Sequence, residues 1–142
     1  MINTKLTRKA MRIAYDAHKD QLDKSSVPYI YHPIHVAEQM DTELECIVAL
    51  LHDVVEDTKV TFADLQKEFS DEVIQLLKLL TRDKKIEYMD YIKKIKNNKI
   101  ARKIKIADIK HNSDETRLDM VTKEDIERRK KYKEALEYLE TI

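Results

Sequence analysis

The stretch LLHDVVEDT, residues 50–58, sets His52, Asp53, Glu56 and Asp57 within six positions, directly after the apolar run ELECIVAL. On a helix, positions four apart lie one above the other, so His52 stacks on Glu56 and Asp53 on Asp57. Adjacent side chains diverge by about 100°, yet two neighbours can still converge on an ion lying between their directions. The second pair then reaches the same side one turn further on. Three carboxylates this close repel one another, and burying one without a partner costs several kcal/mol. A divalent cation removes that difficulty. The alternative is a helix that ends in water near residue 53, with its acids simply solvated.

Further donors elsewhere in the chain bear on that choice. His32 lies in PYIYHPIHVA, pinned between Tyr31 and Pro33 at a helix start. His35, three positions on, reads as a packing or supporting histidine. Asp108 lies in KIKIADIKHN among Ile104, Ile106, Ala107 and Ile109, and a lone carboxylate in such a setting needs a partner. Lys105, Asp108 and Asn112 share one stripe at spacings of three and four. That stripe sets an anionic ligand between a cation and a neutral amide, a layout suited to a metal flanked by phosphate or sugar. Two histidines and two aspartates carry a total charge of −2. This set suits manganese, iron, zinc or magnesium with positions left for water and substrate. Open positions point to catalysis. A closed structural site more often uses thiolates, and the single cysteine, Cys46, reads as a packing residue among Leu44, Ile47 and Val48.

The elements that must position these residues are helical almost throughout. A first helix is expected from about Thr4 to Leu22, with Leu6, Ala10, Ile13, Ala14 and Ala17 on one face. After the loop DKSSVPYIY, Pro33 suits the first position of a short second helix, with His32 beside its N-cap. A third starts near Thr42 and carries Leu44, Ile47, Val48, Leu51 and Val55. TFAD (61–64) resembles a capping box opening a fourth, with Asp in place of the usual Glu. DEVIQLLKLL, EYMDYIKKIKNN and IARKIKIADIKHN give three more, with the paired asparagines as a break. TKED (122–125) caps a last, charged helix running to the C-terminus. That helix should bury Ile126, Tyr132, Ala135, Leu136 and Leu139, while ERRKKYKE reads as a solvated face. The mixed Tyr and Lys helix at 86–99 can serve as a homodimer face or stand as a solvated amphipathic helix.

Composition limits the partners. The chain has 142 residues, 27 basic against 27 acidic, which suits one domain with one core and gives no global electrostatic case for a nucleic-acid or membrane partner. It contains no glycine, where about 7% is usual. A dinucleotide fingerprint or Walker loop is therefore excluded, and phosphate must be held by cationic side chains, a metal or helix N-termini. With no secretory apolar region and one cysteine, a cytoplasmic location is expected.

PYIYHPIHVA (28–37), ALLHDVVEDT (49–58) and IKIADIKHN (104–112), in this order and at these separations, resemble the HD-domain superfamily of metal-dependent phosphohydrolases. The closer resemblance is to the hydrolase domain of RelA/SpoT homologues and the small alarmone hydrolases. It implies an all-α fold, a single HD-domain bundle of about seven to eight helices spanning 1–142. It implies a metal, usually manganese, held by His32, His52, Asp53 and Asp108. Glu56 and Asp57 match the acids that position or activate the attacking water, and Lys105 and Asn112 match positions near the nucleotide. Lys24 and Lys105 can act as phosphate contacts. The implied reaction removes pyrophosphate from the 3′ position of a guanosine polyphosphate such as (p)ppGpp. The short chain leaves no room for a synthetase domain, so hydrolysis alone is expected.

One stretch departs from the family pattern. Where the family reads like HxxQxRKSGxPY, this chain has HKDQLDKSSVPY, with Asp23 at the guanine-stacking arginine and Ser26 at the glycine. A carboxylate cannot supply that cation–π contact. A nucleotidase or phosphodiesterase acting on another phosphorylated nucleotide is the alternative. A regulatory module that keeps a metal for stability is a third reading, and the second acid pair argues against it.

Overall fold

Side-chain caps start most of the long helices of this chain. The computed structural model describes residues 1–141 and shows six such caps. Thr4, Thr42, Thr61, Ser70, Asn98 and Thr122 each accept a first-turn backbone N–H, each worth about 1 kcal/mol. The described helices are α1 (Lys5–Ala17), α2 (Tyr31–Glu38), α3 (Glu43–Leu51), α4 (Val54–Asp57), α5 (Phe62–Gln66), α6 (Asp71–Leu80), α7 (Tyr88–Lys96), α8 (Lys99–Asn112) and α9 (Lys123–Glu140). A 3-10 turn, Glu115–Arg117, joins the last two. The all-α expectation holds, and the capping boxes at Thr61–Asp64 and Thr122–Asp125 are formed. Among the described residues the only β pairing is an isolated bridge between Leu22 and Pro28.

α3 is the central element. Every residue from Glu45 to Leu51 is buried, so this helix is apolar nearly all round, as a core helix must be. It packs against α1, α2, α6 and α8, and α9 closes over α7 and α8. α7 spends its apolar side inside the chain, burying Tyr91, Ile92 and Ile95. Cys46 is fully buried, as its apolar neighbours implied. No described helix is long and apolar enough to cross a membrane.

Four boundaries or faces differ from expectation. α1 stops at Ala17, because the His18 side chain turns inward and bonds Gln21. α2 begins two residues before Pro33, which therefore sits in the first turn, where a missing N–H costs nothing. The third helix breaks at His52 and Asp53: the His52 amide reaches back only to Ala49, at 3.5 Å, and α4 restarts with the Asp57 amide on the Asp53 carbonyl at 3.0 Å. Ile126, expected in the core, is 43% exposed at the start of α9.

Candidate metal centre

The break between α3 and α4 is what aims His52 and Asp53 at one point. His52 Nδ1 lies 2.5 Å from the Ala49 carbonyl. That bond fixes the proton on Nδ1 and presents Nε2 inward. Nε2 of His52 lies 3.0 Å from Asp53 Oδ2 and 3.4 Å from Asp108 Oδ1. α2 delivers His32, whose Nε2 is 2.8 Å from Asp108 Oδ1 and 3.8 Å from Asp53 Oδ2. The four predicted donors, His32, His52, Asp53 and Asp108, thus meet with their ligand atoms all within 4.8 Å of one another. His32, His52 and Asp108 are buried; Asp53 alone keeps some exposure.

The donor set fits a divalent cation. One buried and one half-buried carboxylate face two imidazole nitrogens. Burial opposes charge on His52, yet Asp53 and Asp108 overcome it and raise its pKa well above the usual imidazole value. Burial likewise opposes ionisation of Asp108, but Lys105 and the two histidines hold its pKa well below the carboxylate range. Burial opposes ionisation of Asp53 too, but His52 pulls its pKa down to about 2, so both carboxylates are held ionised and the pocket between them calls for positive charge. Four N/O donors with one partly open side suit a hard or borderline ion that keeps room for water.

Each donor is held from behind. The Tyr29 hydroxyl donates to Asp53 Oδ2 at 2.5 Å. Lys105 Nζ lies 2.9 Å from Asp108 Oδ2, and Asn112 Nδ2 donates to Asp108 Oδ1 at 3.1 Å. Lys105, expected near a nucleotide, is therefore mostly buried against a ligand carboxylate. His111 Nδ1 is 2.7 Å from His32 Nδ1, the two rings lying nearly parallel and meeting edge to edge with centroids 5.0 Å apart, and His35 stacks on the His111 ring at 3.9 Å. Burial, Arg117 and His32 lower the His111 pKa to about 3, so its ring is neutral and can accept the His32 Nδ1–H.

The acid pair sits one turn beyond, on α4, and both residues are exposed. Glu56 Oε1 accepts the Arg82 amide at 2.9 Å. Gln21 Nε2 donates to the Asp57 carbonyl at 2.9 Å, tying α4 to the loop after α1. Desolvation, Asp53 and Glu56 together raise the Asp57 carboxyl to about 6.

Beside the donors opens a cavity of about 280 Å³, which Tyr29 and Asn112 separate from the metal ligands. Lys24 and Arg128 line it. Both reach the buried carboxylate of Asp125, at 2.7 and 3.2 Å. The Lys24 contact, with the Thr122 amide, holds the Asp125 pKa well below the carboxylate range. Arg117 and Tyr132 complete much of the wall. Sequence reasoning matched Tyr29 without giving it a role, and missed His111, Arg117, Arg128 and Tyr132. Arg128 was hidden in the charge run read as a solvated face. Its signal was Asp125, three positions earlier on the same helix face.

An α-helical domain that brings a His–Asp pair, a distant His and a distant Asp to one point has a donor cluster able to hold a divalent metal. More particularly, the chain belongs to the HD domain family, whose profile matches residues 10–132. It is 38% identical over 90 residues to the bifunctional (p)ppGpp synthase/hydrolase SpoT of Escherichia coli K12. The match covers 61% of this chain and 13% of that protein, so the chain spans a small part of its relative's length. A solved metazoan SpoT orthologue, described as hydrolysing ppGpp, superposes with a TM-score of 0.81 at 25% identity, covering 99% of this chain and 88% of the other. A solved Listeria monocytogenes protein gives 0.62 at 26% identity, covering 78% and 81%.

Proposed function

We propose that this chain is a metal-dependent hydrolase that releases pyrophosphate from the 3′ position of guanosine 3′,5′-bis(diphosphate) and its pentaphosphate counterpart. The observation that carries this reading is the meeting of His32, His52, Asp53 and Asp108 at one point, with a cation-lined cavity beside them. The SpoT relatives, named for the same chemistry, support it.

His32, His52, Asp53 and Asp108 would hold the ion, with manganese the proposed resident of this N/O set. When bound, a divalent ion supplies an acidified water and neutralises charge on the phosphate under attack. Glu56, anchored by the Arg82 amide, holds the attacking water. Asp57, with a carboxyl raised to about 6, accepts its proton near neutral pH. Water oxygen joins the phosphorus attached at O3′ as its proton passes to Asp57, that P–O3′ bond breaks to release pyrophosphate, and the 3′ oxygen takes a proton from solvent to leave as a hydroxyl. Lys24 and Arg128 bind phosphate oxygens that do not react, and Asn112 meets the nucleotide while holding Asp108. Lys105 acts through Asp108, and its charge leaves the four-donor cluster itself net positive once a divalent ion is bound.

A second reading, a nucleotidase or phosphodiesterase for another nucleotide, is favoured by one observation: Asp23 stands in the cavity wall. A substrate panel with manganese, scoring pyrophosphate and orthophosphate separately, tests both. Pyrophosphate from the guanosine alarmones is expected. Orthophosphate from simple nucleotides, with no pyrophosphate from alarmones, overturns the assignment.

A further inference from the structure

The Asp23 carboxylate and the Arg117 guanidinium stand side by side in the wall of the cavity next to the metal donors, 3.7 Å apart. That separation is longer than a hydrogen bond, so neither group satisfies the other. Arg117 Nη1 donates to the His111 carbonyl at 2.8 Å, which holds the plane of the guanidinium. Asp23 Oδ1 accepts the amides of Ser25 and Val27, at 2.8 and 3.1 Å, which leaves Oδ2 facing Arg117. Ser25 fixes the spacing of the two segments: its hydroxyl donates to the Arg117 carbonyl at 2.8 Å and accepts the Asp119 amide at 3.1 Å. Leu22 and Leu118 add apolar surface to the same cavity.

We propose that Asp23 and Arg117 act as one reader of the base edge, selecting guanine over adenine. This inference rests on the nucleotide reading given above. Guanine presents an acceptor, O6, directly beside the donors N1–H and N2–H₂. A fixed guanidinium beside a fixed carboxylate complements that order, Arg117 donating to O6 and the single remaining oxygen, Asp23 Oδ2, accepting from N1–H and N2–H together. Adenine offers the carboxylate one amino group and no ring N–H, so one buried interaction is lost. The ring faces are left to Leu22 and Leu118. The carboxylate at position 23 is then a specificity determinant, working with a cation supplied from the 3-10 turn.

The test compares pyrophosphate release from guanosine and adenosine 3′,5′-bis(diphosphate) by the wild type, Asp23→Asn and Arg117→Lys. The ratio of the two kcat/KM values is internal to each preparation and independent of its folded fraction. The wild type should favour guanosine by on the order of tenfold to a hundredfold. Both variants should bring the ratio to within about threefold of unity, mostly through KM for guanosine, with kcat changed less. A ratio unmoved in both variants overturns the proposal, and so does a wild type indifferent to the base. Calorimetry with guanosine and adenosine 5′-diphosphates keeps the base question separate from turnover. A guanine preference lost in the variants supports the reader even when no alarmone is cleaved, and equal affinities for the wild type overturn it. Absence of alarmone cleavage alone counts against the proposed reaction.

Discussion

The Tyr29 hydroxyl donates a 2.5 Å hydrogen bond to Asp53 Oδ2, the one donor of the metal cluster that keeps some exposure. Burial and the Asp53 carboxylate push the phenol far above its ordinary pKa, so it remains a donor at any working pH. Tyr29→Phe should therefore free Asp53 to rotate without unfolding the chain. The expected result is a fall in manganese affinity of about tenfold to a hundredfold, with kcat largely recovered at saturating metal. Metal titration followed by pyrophosphate release measures both. Unchanged affinity would mean the bond does not orient the ligand.

The proposed reaction gives water handling to Glu56 and Asp57 and metal holding to the four donors. Glu56→Gln and Asp57→Asn should each lower kcat by about 10²–10⁴ and leave the bound metal at wild-type stoichiometry. The Asp57 carboxyl is raised from its ordinary 3.8 to about 6 by desolvation, Asp53 and Glu56. A protonated carboxyl cannot accept, so the rate should fall as pH drops below about 6, and this limb should vanish in Asp57→Asn. A bound cation pulls the same carboxyl lower and moves the limb to more acid pH. For stability the sign is reversed. The folded state binds this proton more tightly than the unfolded chain, so the contribution is present below 3.8 and lost as pH rises through 6. A kcat profile with no acid limb in the wild type would remove Asp57 as the base.

His111 Nδ1 faces His32 Nδ1 at 2.7 Å, and accepting that proton fixes the tautomer that offers Nε2 to a metal. His111→Ala should weaken metal binding about tenfold or more, whereas His35→Ala, which removes only the outer ring of the stack, should change it little. Equal effects of the two would indicate packing alone. Calorimetric manganese titration of both variants decides.

The helices were legible in the sequence through local pattern, and the residues that meet at one point, His32, His52, Asp53 and Asp108, through three separate motifs taken together. Thr61 and Thr122 announce their capping boxes three residues ahead, and the apolar run up to Leu51 announces a core helix. His52 and Asp53 were expected on one unbroken helix, stacked on Glu56 and Asp57. The break between them has no glycine or proline to signal it, and arises where the His52 ring takes the Ala49 carbonyl. Nor could the sequence bring Arg117 to Asp23, 94 positions away, since only the fold closes that distance. Lys105 was placed correctly beside Asp108, but its burial against that carboxylate depends on α7 packing over α8.

Ser26 has φ of 64°, the only positive φ among the described residues, at the position where the family pattern carries glycine. A side chain in the left-handed region costs about 1–2 kcal/mol, and the Asp23 carboxylate holds the turn by taking the amides on either side. Ser26→Gly removes that cost but loses about 0.5–1 kcal/mol to the greater entropy of the unfolded chain, for a net stabilisation of about 0.5–1 kcal/mol. Ser26→Val, branched at Cβ, should destabilise. Urea unfolding of both variants checks the order, and a destabilised glycine variant would contradict it.

Removing the metal should cost stability as well as activity, because the four donors lie on α2, α8 and the end of α3 and a bound ion joins all three. An ion at a hundred times its dissociation constant contributes about 2.7 kcal/mol. For a chain of this length, that corresponds to a melting temperature higher by on the order of 10 °C. A chelator should abolish the difference in the wild type, and manganese should restore it. Asp53→Ala should already melt low and respond to neither, since loss of one of two carboxylates leaves the cluster too weakly charged to hold the ion. A wild type whose melting temperature ignores both chelator and manganese, or an Asp53→Ala protein that is folded, metal-free and fully active, would refute the metal centre.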